Sequence, residues 1–267
     1  MVVLMKFDNV LVATDGSTLS EAAIDLALHS AEYFATKLTL VYVVDNTRHG
    51  EFDDADVMTR IFASKLEGEH TLESAMKKAK TQGVEMETML VEGLPWQVLS
   101  DLTKEYDMLI MSTTGKGSFG GGRMGSTAAK VIENAYCPVL TLKSVSDRLE
   151  NVLLPVDSKN MPAIDLAIET VKRVGGKLTI LSVKTKDVHA ESVVQEVAQR
   201  CVVEGIDFVT DIREGNPVQI ICAESGKYDL IVMGTHARKG ISKVLKGSVS
   251  EAVVINASCP VTVVRNE

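Results

Sequence analysis

Two Gly-Ser pairs in this sequence lie where a phosphate-bearing ligand could be held. Gly125-Ser126 and Gly247-Ser248 each follow an apolar run and a loop of 13 residues, and each opens a segment with helical spacing. Amides at a helix N-terminus are unpaired and carry partial positive charge, glycine lets an anion approach the backbone, and serine adds a donor. A glycine turn followed by a serine N-cap would use the same residues without a ligand.

Glycine motifs of other nucleotide-binding proteins fit less well. Gly115, Gly117 and Gly120 form a literal GxGxxG, but a dinucleotide fingerprint belongs after the first strand of its unit, and this one follows the fourth. The chain contains no GxxxxGK[ST] sequence, so a P-loop is excluded.

The elements around these loops occur twice. Residues 111–139 and 233–261 align without gaps with ten identities, and both segments end in Cys-Pro-Val. NVLVATD at 9–15 likewise matches NVLLPVD at 151–157. The repeat predicts two domains, 1–146 and 147–267. The first copy is longer between residues 46 and 80, and we expect an extended loop there that runs into a helix.

Each copy alternates short apolar runs with segments of helical periodicity, in the order βαβαβαβαβ. Strands that are continuously apolar are typical of parallel sheets covered on both faces. The pattern predicts two tandem doubly wound α/β domains, each with an open five-stranded parallel sheet. Such sheets bind ligands at the carboxyl ends of their strands, and Asp15, Asp157 and both glycine loops fall there. Ser17 or Ser20 is the expected N-cap of the first helix.

Composition limits the function classes. The chain is 45% hydrophobic and 24% charged, as expected for a globular protein that buries a core. A net charge of −8 and 4% aromatic residues argue against nucleic-acid binding. No apolar run approaches the roughly 20 residues of a membrane helix, and the N-terminus lacks signal-peptide features. Four cysteines without a CxxC pair favour a reduced, cytoplasmic protein.

These motifs together resemble the universal stress protein family, ATP-binding branch. The resemblance is carried by Gly-x2-Gly-x9-Gly-Ser after strand four, by LVATDGS at 11–17 and TLVYVVD at 39–45, and by LTILSV at 178–183. It covers essentially the whole chain twice, as in a tandem-type member. It implies a Rossmann-like fold of the adenine nucleotide α-hydrolase-like group, in which the last strands, 140–143 and 261–265, pair across the copies. It also suggests a homodimer and a protein partner that the sequence does not identify.

The resemblance implies ATP or another adenine nucleotide as ligand, with Mg²⁺ bridging the phosphates. The two residues before each strand-one aspartate, that aspartate and a strand-two valine would hold the adenosine, and the glycine loops would hold ribose and phosphates. The implied nucleotide-binding residues are Ala13, Thr14, Asp15, Val43, Ser112, Thr114, Gly115, Gly125, Ser126, Thr127, Pro155, Val156, Asp157, Val183, Met233, Gly234, His236, Ala237, Gly247, Ser248, Val249 and Ser250.

Each copy departs from the family pattern at one glycine. Ser112 stands at the first glycine position of the first copy, and Ala237 at the second position of the second copy. A side chain at either place could keep a phosphate from the backbone. The second copy also reads VDSKNM, without Gly-Ser after Asp157. The sequence therefore does not rank the two sites.

The resulting hypothesis is a nucleotide-binding stress-response regulator. No catalytic set is evident, so ATP hydrolysis would be slow at most, and the histidines are scattered without metal-ligand spacing. The alternative is a nucleotide-free dimerisation or interaction module of the other branch. An adenylating enzyme is disfavoured because neither SGGxDS nor HIGH occurs. Trp96 is interpreted as a packing residue, since its counterpart is Val218.

Overall fold

The structure is a computed structural model that describes residues 7–47, 54–116, 124–143, 148–157, 161–184, 189–235 and 249–265. His236, Ala237, Gly247 and Ser248 lie outside the described residues. The described residues form two compact units, 7–137 and 138–265.

The first unit is a parallel sheet with four helices. Its strands lie in the order β3-β2-β1-β4, and every pairing between them is parallel. In chain order the elements are β1 (Asn9–Thr14), α1 (Thr18–Phe34), β2 (Lys37–Val44), α2 (Asp54–Gln82), β3 (Met86–Glu92), α3 (Pro95–Leu102), β4 (Met108–Ser112) and α4 (Ser126–Asn134). All five residues of β4 are buried, as predicted for a strand covered on both faces.

The second unit repeats this arrangement and adds one strand. Its order is β5-β10-β9-β6-β7-β8, with β5 antiparallel to β10 and the other pairings parallel. The elements are β5 (Val139–Leu142), β6 (Asn151–Pro155), α5 (Met161–Val174), β7 (Lys177–Lys184), α6 (Ala190–Glu204), β8 (Asp207–Glu214), α7 (Pro217–Glu224), a short 3₁₀ helix (Ser225–Lys227), β9 (Leu230–Thr235), α8 (Val249–Asn256) and β10 (Val261–Arg265). β5, the last strand of the first sequence copy, thus lies in the second unit, and the predicted pairing of the two last strands is confirmed.

The strand order places a switch point in each sheet. From β1 the first unit's chain moves outward through α1 and α2, and it then returns through α3 to β4 on the other side of β1. Because crossovers between parallel strands are right-handed, the reversal puts α1 and α2 on one face and α3 and α4 on the other. Contacts of α1 with α2, and of α3 with α4, agree with this. The predicted doubly wound fold is confirmed, and ligands bind such sheets at the reversal between β1 and β4.

The prediction of an extended loop before the second helix is wrong for residues 54–71. α2 begins at Asp54 and runs unbroken for 29 residues. Leu72, Ala75 and Ala79 bury one helical stripe, which the sequence extends toward its N-terminus through Gly68. A Cβ on Gly68 would lie 2.8 Å from Cδ1 of Tyr42 in β2. The glycine therefore permits close packing of α2 on the sheet rather than breaking the helix.

Candidate functional site

The switch point of the first unit brings Asp15 and the exit of β4 together. Asp15 follows β1, and its Oδ1 accepts a hydrogen bond of 3.0 Å from the Ser17 amide. Its Oδ2 accepts a bond of 2.7 Å from the Lys116 amide, which lies 101 residues away in sequence. The carboxylate thus joins the start of α1 to the loop after β4. Ser17 is also the N-cap of α1, accepting from the Ser20 amide, as predicted.

Asp15 is held in its ionised form. Burial is the largest single influence on its pKa and would raise it. Hydrogen bonds from the Ser17 hydroxyl, the Lys116 and Ser17 amides and the Ser20 hydroxyl together outweigh burial, so the pKa of Asp15 falls below its ordinary value of 3.8. At neutral pH the site therefore contains a fixed anion that positions backbone amides.

A pH prediction follows from this shift. Because the pKa of Asp15 is lower in the folded than in the unfolded chain, its contribution to stability is fully present above the unfolded value and is lost as pH falls through the folded value. We expect Asp15→Asn to lower the free energy of unfolding by about 1.5–3 kcal/mol at neutral pH, the loss of one charge-assisted hydrogen bond. The deficit should shrink as pH falls below the ordinary carboxyl value of 3.8 and through the lower pKa of the folded state. Urea unfolding of both proteins at neutral and acid pH measures it, and an unchanged deficit in acid would contradict the account.

The close approach of Asp15 requires glycine at position 115. A Cβ on Gly115 would lie 2.3 Å from Oδ2 of Asp15, far inside van der Waals contact. The two hydrogen bonds on the carboxylate leave it little freedom to move aside. The predicted glycine position thus serves the Asp15 contact, which the sequence alone did not reveal.

Ser112, which replaces a family glycine, is accommodated within the loop. It is the last residue of β4, and its hydroxyl donates to the carbonyl oxygen of Thr114 at 2.9 Å. The side chain therefore bridges the turn that presents Gly115. Its hydrogen-bonding capacity stabilises the loop's conformation.

The start of α4 is open to a ligand. Its N-cap is Gly125, which has no side chain to cap the helix, and Ser126 is the first helical residue. The Gly125 amide donates to the Thr113 carbonyl at 2.8 Å, which ties the helix start to the exit of β4. The alternative of a serine N-cap is therefore wrong for the first copy. Ser126 is exposed and Thr127 half-buried, and the first-turn amides of a helix have no partner within it.

The remaining first-copy residues line the same edge. The Thr14 side chain accepts from the Gly16 amide at 3.1 Å and lies 3.0 Å from the Ser20 hydroxyl. Ala13 precedes it and is buried. Because Tyr42 contacts α2, the next residue along β2, Val43, faces the side of α3 and α4. Val43 is half-buried, so part of its side chain remains accessible on the face where α4 begins.

Lys116 and Glu67 lie at the rim of this site and were not predicted from the sequence. The Lys116 ammonium forms an ion pair with Glu67 of α2, and the Tyr42 hydroxyl lies 3.5 Å from the other Glu67 oxygen. A Cβ on Gly16 would lie 2.9 Å from Lys116 Nζ. A cation is thus held above the β1 turn. The available signal was a basic residue at the same place in both copies, Lys116 and Arg238.

The second-copy residues lie in corresponding elements as far as they are described. Pro155 ends β6, the buried Val156 donates from its amide to Leu181 at 2.8 Å, and Asp157 is exposed. Met233 and Gly234 belong to β9, and Val183 is buried in β7. Val249 and Ser250 open α8, the first exposed and the second buried.

The described residues show no reactive thiol pair, metal site or membrane-spanning helix. Burial raises the pKa of both Cys137 and Cys259 to about 12, so neither thiol is a nucleophile at neutral pH. No three His, Cys, Asp or Glu side chains of the described ranges are grouped as metal ligands. Among the helices described, none is long and apolar enough to cross a membrane.

Comparison with known proteins identifies the family. The model of the universal stress protein family matches residues 6–143 and again residues 149–265. The chain belongs to the universal stress protein family. Two matches in succession also establish the tandem organisation predicted from the repeat.

Related universal stress proteins match either nearly the whole chain or about half of it. Universal stress protein Rv2005c of Mycobacterium tuberculosis is 26% identical over 297 residues, covering 97% of this chain and 98% of the relative. Universal stress protein MJ0531 of Methanocaldococcus jannaschii is 32% identical over 141 residues, covering 51% of this chain and 82% of the relative. The crystal structure of a universal stress protein from Archaeoglobus fulgidus matches with a TM-score of 0.82 at 22% identity, covering 97% and 98% of the two chains. At that identity the likeness shows the fold.

Proposed function

We propose that the first copy of this universal stress protein binds an adenine nucleotide at the carboxyl ends of β1 and β4. The observation that carries the proposal is the start of α4, where Gly125 leaves the helix without a side-chain cap and is tied to Thr113 beside the Asp15 contact. Unpaired amides and the helix dipole at this point favour phosphate oxygens.

The site residues divide between the two ends of the nucleotide. Val43 offers an apolar surface to the base on the α4 side of the sheet, and Ala13 and Thr14 border it at the end of β1. Gly125, Ser126 and Thr127 face the phosphates with backbone amides and hydroxyl donors. Mg²⁺ would enter with the nucleotide phosphates, because it retains several waters and needs few protein ligands.

Asp15 has a positioning role in this proposal. Its carboxylate is already engaged by the Ser17 and Lys116 amides, so it shapes the loop on which Gly115 lies. The corresponding second-copy residues, from Pro155 to Asp157 and from Met233 to Ser250, form a second site of the same kind. In this proposal the chain has two universal stress protein domains, 1–146 and 147–267, and each carries one site.

The cellular role that fits such a site is a cytoplasmic stress-response regulator. Nucleotide occupancy would alter the loop after β4 and its contact with α2 through Lys116 and Glu67, and so the surface offered to a protein partner. ATP turnover would be slow at most. A homodimer stays a prediction, and light scattering at micromolar concentration tests it.

The alternative function, an interaction module that works without nucleotide, has one observation in its favour. Met58, Phe62 and Leu66 of α2 are 66%, 63% and 51% exposed and follow each other at intervals of one helical turn. An exposed apolar stripe of this kind is typical of a surface that contacts another protein.

Calorimetric titration with Mg-ATP separates the two functions. A Cβ on Gly125 would lie 3.2 Å from the Thr113 carbonyl oxygen, so Gly125→Ala should shift the helix start slightly and weaken first-copy binding about tenfold. Gly247→Ala reports on the second copy in the same way. Gly226→Ala is the matched control, because a Cβ there meets no atom within 4 Å. Absence of heat with any adenine nucleotide would favour the interaction module.

A further inference from the structure

The indole of Trp96 is an unexplained polar group in the first unit. Trp96 is the only tryptophan of the chain and lies in the first turn of α3, directly after Pro95. Its Nε1 is buried and, among the described residues, has no hydrogen-bond partner. Buried donors in folded proteins are almost always paired, because an unpaired one costs about 1–3 kcal/mol. A role in packing alone, as interpreted from the sequence, does not account for this N–H, which lacks a hydrogen-bond partner among the described residues.

Contacts between α3 and α4 place Trp96 beside the start of α4. The Lys130 ammonium, in the second turn of α4, lies 5.1 Å from the centroid of the Trp96 ring. At the other end of the pair, the Tyr136 amide donates to the Thr103 hydroxyl at 3.0 Å. The two helices therefore run side by side in the same direction. Trp96 lies at the end where α4 begins after Gly125.

The connection from β3 to α3 places Trp96 beside the end of β2 as well. The Gly93 amide donates to the Val44 carbonyl at 3.0 Å, so the connection is fixed against the last residue of β2. α3 also contacts β2, on the face toward which Val43 points. Trp96 therefore lies next to both α4 and β2, the two elements that border the nucleotide site on this face.

We propose that Trp96 is a base-contacting residue of the first-copy site, whose indole N–H donates a hydrogen bond to a ring nitrogen of the bound base. The proposal rests on the nucleotide-binding function proposed above and adds a specificity residue to it. Bases present ring nitrogens as acceptors, and a donor held in a buried position favours ligands that supply one. Lys130 over the ring restrains its orientation.

The two copies differ at this position. Val218 stands where the first copy has Trp96, and valine has no donor. Base selectivity through this contact is therefore a property of the first copy. The second copy lacks this interaction with the base.

Fluorescence of the full chain tests the contact without any substitution. Because Trp96 is the only tryptophan, a change in indole emission during titration with Mg-ATP reports on its surroundings alone. Titration with ATP analogues, each with one ring nitrogen of the base replaced by C–H, identifies the acceptor. We expect one analogue to bind about three- to tenfold more weakly than ATP, the loss of one hydrogen bond.

The Trp96→Phe variant, measured by calorimetry, completes a thermodynamic cycle. Phenylalanine keeps a ring in the packing of α3 on α4 and removes the donor. The variant should bind ATP more weakly than the wild type by the same three- to tenfold factor. It should bind the sensitive analogue no more weakly than it binds ATP. Val218→Ala is the control and should leave the first-copy affinity unchanged. Circular dichroism during heating confirms that each variant folds.

The outcomes separate this inference from the proposed function. Heat on binding, with unchanged indole emission and equal affinity for every analogue, would overturn the role of Trp96 and leave nucleotide binding intact. Absence of heat for every adenine nucleotide would overturn both. A Trp96→Phe variant that does not fold leaves the wild-type fluorescence and analogue titrations to decide.

Discussion

Replacement of Gly115 by alanine is expected to abolish most nucleotide binding in the first copy. The new Cβ would lie 2.3 Å from Oδ2 of Asp15, so the carboxylate must leave its bond to the Lys116 amide. That bond is charge-assisted, and its loss is worth about 1.5–3 kcal/mol. The loop after β4 would move away from β1, and we expect the Kd for Mg-ATP, measured by calorimetry, to rise on the order of a hundredfold.

A second variant distinguishes loop displacement from general damage. Asp15→Ala together with Gly115→Ala removes the atom that the new Cβ meets. If the clash is the cause, the double variant should be no worse than Asp15→Ala alone, so the two effects are strongly non-additive. Additive losses in binding, or a Gly115→Ala protein that binds like wild type, would show that the contact with Asp15 does not control the loop.

Much of the fold could be predicted because the repeat exposes it. NVLVATD and NVLLPVD, at the fronts of the two copies, occur at corresponding places, and continuously apolar strands indicate a parallel sheet with covered faces. The strand order came from the structure, and the handedness of crossovers then determines which face of the sheet each helix covers. The last strands pair as the family resemblance implied, although β5 belongs to the second compact unit.

Part of the candidate site could be predicted because both copies share a residue type at the same place, whereas Gly115, with Ala237 as its counterpart, was marked by the family pattern alone. Asp15 and Gly125 have counterparts in Asp157 and Gly247, and such correspondences marked them before the structure was known. The ion pair between Lys116 and Glu67 joins residues 49 positions apart. It depends on α2, which has its extra length in the first copy only. No local pattern specifies such a contact.

The start of α2 shows why local signals were insufficient. The segment from residue 46 to 70 is polar and acidic at its start, which suggested a loop. Gly68 adds no helical propensity, because glycine inside a helix is unfavourable relative to alanine by about 1 kcal/mol. Here the close approach to Tyr42 decides the residue type, since a Cβ would lie 2.8 Å from that ring. Where a helix packs closely on a sheet, the packing overrides the helix propensity of the individual residue.

The largest loss of stability is expected from Gly176→Ala in the second unit. Gly176 precedes β7, and its Cβ would lie 2.1 Å from the Glu150 carbonyl oxygen, which accepts the first bond between β6 and β7 from the Lys177 amide at 2.7 Å. The position of the Cβ is set by the backbone of residue 176, and the oxygen belongs to the backbone of Glu150. Neither atom can therefore rotate away. We expect the free energy of unfolding, from urea titration followed by circular dichroism, to fall by about 3 kcal/mol.

Gly175→Ala is the matched control for this prediction. Gly175 has φ +68, but a Cβ on it meets no atom within 4 Å, so only the left-handed conformation is penalised, at about 1 kcal/mol. The first copy already holds Ala35 at φ 49 in the corresponding turn, which shows that alanine is tolerated there. Because Gly176 lies in the second unit, at the amino end of β7, its variant should lose stability without losing first-copy nucleotide affinity below the unfolding transition. Equal destabilisation by the two alanines would mean that the approach to Glu150 is relaxed at little cost, and that backbone conformation alone sets the residue at this turn.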